Sequence, residues 1–144
     1  MTVPVSPLPD GLPAAPPSGL TSGLTSGLIR LLRAEGLAIF AGCALAYGAL
    51  GESWTLAAIL FLAPDLSMLF YLAGPRIGAA GYNAVHSYVT AVALGAGTLL
   101  SGSPLPLALA LILGAHIGLD RALGYGLKEA RGFRHTHLGP IGRG

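Results

Sequence analysis

The stretch SPLPLALALILGAHIGLDRALGYGL, residues 103–127, decides how the rest of the chain is read. It is built almost wholly from Leu, Ala, Ile and Gly, and its length suits a helix that crosses a bilayer. Three ionisable residues lie inside it: His116, Asp120 and Arg121. A charge in hydrocarbon is costly, so ionisable groups within such a run mark a functional site by default. His116 and Asp120 are four residues apart, which puts them on one helix face.

Working outward, the composition agrees with a membrane reading. The 144 residues are 53% hydrophobic and only 10% charged, with a mean hydropathy of +0.69. Soluble domains average about a quarter charged residues. The length suits one domain. The net charge of +2 is small, and the basic residues flank apolar runs without interleaved aromatics, which argues against nucleic-acid binding. Cys43 is the single cysteine. It allows no internal disulfide and reads as a small buried side chain. Residues 40–43, FAGC, have the outline of a lipoprotein cleavage box. Arg33 and Glu35 interrupt the apolar region such a box requires.

The chain order gives an all-α, polytopic membrane protein, a four-helix antiparallel transmembrane bundle. Residues 1–27 read as a disordered tail: six prolines between Pro4 and Pro17 exclude a helix, and the SGLT repeat at 18–25 lacks bulk for a core. The four helices are expected at about 28–50, 54–73, 76–100 and 104–127. Ser26 is the N-cap of the first, with Arg30 and Arg33 snorkelling. Trp54 anchors the second at the interface. Pro64 interrupts that helix, and Asp65, beside the break, is expected to face the protein interior. Gly51 with Ser53, Gly74 with Pro75, and the turn at 101–104 punctuate the elements. Gly74–Gly78 and Gly114–Gly118 fit the GxxxG pattern of closely packed helices.

Basic residues sit on one side only. Arg30 and Arg33 precede the first helix, Arg76 lies between the second and third, and Lys128, Arg131, Arg134 and Arg143 follow the fourth. The turns around Glu52 and Gly102 carry none. The positive-inside rule then places both termini in the cytoplasm of a multi-pass inner-membrane protein. The basic tail, 129–144, would lie on the lipid bilayer and contact anionic head groups.

At ~1.5 Å per helical residue, Asp65, His86 and His116 lie roughly 13–16 Å from the cytoplasmic helix ends, and Asn83 and Asp120 about 10 Å. Three helices thus bring polar groups to one depth, as a shared buried site would. Asp65 is expected as its charge-bearing centre, with His86 and His116 as partners or ligands. Asn83, Asp120 and Arg121 would line the cytoplasmic approach, Arg121 either pairing with Asp120 or snorkelling. The bland reading of the histidines is interhelical hydrogen-bond glue. Ligation of metal or haem iron by His86 and His116 is a weaker reading, as is metal binding by His135 and His137. No cofactor and no catalytic residue is assigned. Nucleophile elbow, P-loop, dinucleotide fingerprint and CxxC motifs are missing from the sequence.

PDLSMLFYLAGPRIGAAGYNAVHSY (64–88), AHIGLDRALGYGLK (115–128) and GFRHTHLGPIGR (132–143) together resemble the bacterial membrane family called domain of unknown function 4260, over about residues 31–143. The resemblance implies a compact bacterial protein with several membrane spans. It gives no role to Asp65, His86, His116 or Asp120. Three functions follow from the residues themselves. A buried Asp/His site could bind or relay a proton, an ion or a small ligand. A membrane enzyme could act on a lipid or isoprenoid head group. An accessory subunit, or a homo-oligomer, could use the same groups only to hold helices together.

Overall fold

The computed structural model describes residues 18–130, 132–136 and 138–140. Most of the expected N-terminal tail, together with Arg131, His137 and Arg143, lies outside them. Helix α1 spans Ser18–Leu50, α2 Trp54–Phe61, a 3-10 segment Ala63–Ala73, α3 Pro75–Val85, α4 Tyr88–Ser101 and α5 Leu105–Leu123. Two short antiparallel strands follow, β1 at His135–Thr136 and β2 at Gly139–Pro140.

Helix α5 is the axis. Its residues from Ile112 to Gly118 are all buried, and it packs chiefly on α1 and α4. The α1–α5 contact is backbone against backbone. A Cβ on Gly118 would stand 2.7 Å from the Phe40 nitrogen and 2.8 Å from the Gly36 oxygen. A Cβ on Gly36 would stand 2.8 Å from the Gly118 oxygen. Gly114 faces Cys43 Sγ in the same seam. The GxxxG spacing thus lets the two helices close to a distance no side chain would permit. Arg33, expected to snorkel, instead donates from Nε to the Ala122 carbonyl at 2.7 Å, tying α1 to the end of α5.

The interior is small and partly polar, while the outside is large and apolar. Buried positions include Ala57, Ala79, Ala91, Ala108 and Ala110, with His86, His116 and Tyr82. Leu72, Leu99 and Leu100 are more than 85% exposed, and Leu45, Val89 and Val92 more than 70%. Such a surface suits hydrocarbon and would be a liability in water. Among the described residues, two helical stretches are long and apolar enough to cross a membrane, Trp54–Ala73 and Leu105–Leu123. The pair α3 and α4 makes a third if it is one span. In α1 the longest uncharged portion is residues 36–50, after Arg30, Arg33 and Glu35.

All four expected helices differ in outline. The second is α-helical only to Phe61 and continues as a 3-10 segment from Ala63, because Pro64 has no N–H to extend the α ladder. The third is broken at His86–Ser87, with a 43° bend. Ser87 caps the new start by accepting from Val89 N–H at 3.2 Å. The fourth ends at Leu123, not 127, where Gly124 takes φ +98°. The first begins eight residues before Ser26.

Beyond α5 the chain folds back. Asn83 of α3 holds it at both backbone groups of Lys128: Nδ2 donates to the Lys128 carbonyl at 2.8 Å, and Oδ1 accepts from its N–H at 2.7 Å. Lys128 also bridges to Thr136. This is a different position for Asn83 from the open approach expected of it.

Three outcomes follow for thermal unfolding and hydrogen exchange in detergent. Gly118→Ala forces the seam apart and should cost about 1–3 kcal/mol. Gly42→Ala, with nothing within 4 Å of the added methyl, should be neutral or stabilising. Asn83→Ala should raise amide exchange at Lys128 at least tenfold, since an unpaired N–H forfeits roughly 1–3 kcal/mol.

Candidate metal centre

The breaks in the helices position the site. Because α3 stops at His86, the imidazole sits at a helix end, where Nδ1 lies 3.0 Å from the Tyr82 carbonyl. A carbonyl oxygen only accepts, so Nδ1 carries the proton, and in the neutral ring Nε2 carries a lone pair. The Tyr82 ring stacks on the imidazole at 3.7 Å and 9°, fixing its plane. The carbonyl of His86, released from the helix ladder, accepts from Arg121 Nη2 at 3.2 Å. Thr90 Oγ1 donates to the carbonyl of Ala84. The broken span is therefore re-satisfied by side chains, as hydrocarbon surroundings demand.

His116 comes from the buried face of α5 and meets Phe61 edge-on, at 5.2 Å. Its Nε2 lies 3.1 Å from His86 Nε2. Both imidazoles are almost fully buried, at 1% and 3% exposure. Asp65 Oδ1 is 3.6 Å from each of these nitrogens. Asp120 Oδ2 is 3.8 Å from His86 Nε2 and 3.9 Å from His116 Nε2. Tyr82 donates its hydroxyl to the same Asp120 oxygen at 3.0 Å. Asp65, His86 and His116 each offer one ligand atom, all within 4.8 Å of one another.

These distances have a chemical meaning. Donors held at 2.0–2.1 Å around a tetrahedral ion stand about 3.3 Å apart. The two imidazole nitrogens and Asp65 bracket that value; Asp120 stands slightly farther out, steadied by Tyr82. Two carboxylates and two neutral imidazoles carry a charge of −2, which a divalent ion cancels. The Nδ1–H to carbonyl bond of His86 is the outer contact that commonly aims an imidazole at a metal.

The sequence-selected residues do not all share one role. The structure brings Asp65, His86, His116 and Asp120 together from the 3-10 segment, α3 and α5. Asp65 is not enclosed as expected: its side chain is 44% exposed, because the 3-10 segment forms the rim and not the centre. Arg121 neither pairs with Asp120 nor snorkels; it donates to the carbonyls of His86 and Tyr125. Asn83 anchors backbone. His135 is exposed, in β1, and His137 lies outside the described residues.

Sequence reading missed Tyr82 and Lys128. Tyr82 lies four residues before His86 on the same helix, a spacing that could have paired them. Lys128 reads as one more flanking cation. In the fold it is only 5% exposed, and its ammonium lies over the rings of Tyr82 and Phe133 at 4.9 and 3.9 Å. Burial pulls it below the ordinary lysine pKa, against the nearby Asp120 charge. Asp65, Asp120, Tyr82 and Lys128 line one cleft of about 440 Å³, with Met68, Tyr125 and Phe133.

No curated protein and no solved structure matches the chain. The sequence model of the family described as Domain of unknown function (DUF4260) matches residues 29–141. That match takes in every helix that builds the cleft and all four acceptor residues, and the chain belongs to the DUF4260 family.

Proposed function

We propose that this is a multi-pass membrane protein that binds a divalent transition-metal ion through Asp65, His86 and His116, with Asp120 beside the ion. The observation that carries this reading is two imidazole Nε2 atoms 3.1 Å apart, with an Asp65 oxygen 3.6 Å from each and an Asp120 oxygen 3.8–3.9 Å from each. A cation among them would be met by all four groups at once, which a single His–His hydrogen bond is not. Two nitrogen donors favour Zn²⁺ or Fe²⁺ over Mg²⁺ or Ca²⁺, which take oxygen sets. Three protein ligands with one side open to a cleft is the arrangement of a working metal site, whereas structural zinc is usually enclosed by four.

The membrane part of the proposal is a four-span antiparallel bundle with both termini cytoplasmic. It is supported by the apolar exterior and by the one-sided basic residues. In this arrangement the cleft opens toward the cytoplasmic face, and α1 serves as the fourth span by using residues 28–35 at the interface.

The metal reading is tested on protein purified in detergent, stripped with chelator and offered Zn²⁺ or Mg²⁺. One Zn²⁺ per chain should be retained after desalting, and Mg²⁺ should not. His116→Gln and Asp65→Asn should each weaken zinc affinity by about 10-fold or more, with the helical circular dichroism unchanged. A wild-type chain that retains no zinc would show that the pair is a plain His–His hydrogen bond. Topology is read by labelling intact cells with an impermeant maleimide in a Cys43→Ala background. Ser103→Cys should label from outside, and Arg76→Cys should label only after lysis.

A further inference from the structure

The cleft beside the proposed metal position has a cation built into its wall. Lys128 is held at both backbone groups by Asn83 and bridged to Thr136, so its side chain starts from a fixed point. Its ammonium is caught between two aromatic faces. Ring faces attract the charge without occupying N–H donors as a carboxylate would. A buried, immobilised lysine is expensive, and an exposed tail lysine would serve topology equally well. Its position in the same cleft as Asp65 and Asp120 needs another explanation.

Charge supplies one. Asp65 and Asp120 contribute −2, the divalent ion +2 and Lys128 +1, leaving the cleft at +1. A ligand with a single negative charge spread over several oxygens balances it, one oxygen approaching the ion and another the ammonium. The walls between are apolar: Met68, Phe133 and Tyr125 are each about 40% exposed on the cleft. Leu66 and Leu69 of the same 3-10 segment are more than 60% exposed. A polar floor with an apolar rim suits an amphipathic molecule. The volume, about 440 Å³, exceeds the need of a bare phosphate and accommodates a head group.

We infer that this cleft holds the phosphodiester of an anionic membrane lipid, with Lys128 as the anion-pairing residue and the metal ion as the second contact. This rests on the metal reading above. A phosphodiester carries the single charge the cleft lacks, and its acyl chains would leave along the apolar rim into the bilayer. Free phosphate shares the oxyanion chemistry but gains nothing from that rim.

The test uses the full chain, zinc-loaded in a non-ionic detergent, titrated with three probes. These are a short-chain phosphatidylglycerol, the diacylglycerol with the same chains, and inorganic phosphate. Phosphatidylglycerol should bind at least 10-fold more tightly than either of the others. Lys128→Gln should weaken it roughly tenfold, the worth of one charge-assisted hydrogen bond, while zinc stoichiometry stays at one. Lys128→Arg should recover part of the loss. Equal binding of diacylglycerol, or no effect of Lys128→Gln at full zinc occupancy, would overturn the inference and leave the metal site standing. Equal binding of inorganic phosphate would overturn the lipid assignment. A chain that takes no zinc would remove the metal reading and this inference together.

Discussion

Two imidazole nitrogens facing each other at 3.1 Å inside an apolar bundle are the constraint around which the polar architecture is arranged. Two bare lone pairs repel, and carboxylate oxygens on either flank make the repulsion worse. The contact is relieved either by one imidazole donating its N–H to the other or by a cation placed between them. Much of the surrounding structure keeps those nitrogens aimed. Tyr82 supplies the carbonyl that sets the His86 tautomer, the ring that stacks on it and the hydroxyl that steadies Asp120. Phe61 backs His116.

The helix breaks belong to the same logic. A straight α3–α4 span would use the His86 carbonyl in its own ladder. Ending the helix at His86 frees that carbonyl for Arg121 and turns the imidazole toward α5. Pro64 does the equivalent in the neighbouring span, converting it to a 3-10 segment that carries Asp65 to the cleft rim. Broken backbone of this kind is tolerated at membrane depth only where it is enclosed by protein or lines a cavity.

Much of this was legible from residue types alone. The apolar runs gave the helical class, and Ser53 and Gly51 gave a turn that is present. The shared depth of Asp65, His86 and His116 pointed to residues that do meet. Less legible were the consequences of backbone geometry. Nothing in the spacing of residues 76–100 shows that Ser87 starts a new helix, because an N-cap and a mid-helix serine look alike without tertiary contacts. Arg121 had two plausible partners in sequence, and neither is the carbonyl it meets, since that carbonyl is released only by the break. Lys128 was hidden by its neighbours: a lysine in a basic tail reads as surface until a distant Asn83 buries it.

The grip of Asn83 on Lys128 also sets an order of assembly. The two residues are 45 positions apart, and the whole of α4 and α5 must leave the ribosome before the second reaches the first. The four acceptors can gather once α5 is inserted, yet the cleft has no cationic wall until the following turn docks. Maturation is thus split into two stages, an early one in which the four groups gather and a late one in which the segment after α5 adds the wall that carries Lys128. A fusion partner joined too near that segment would hold the protein in the first stage.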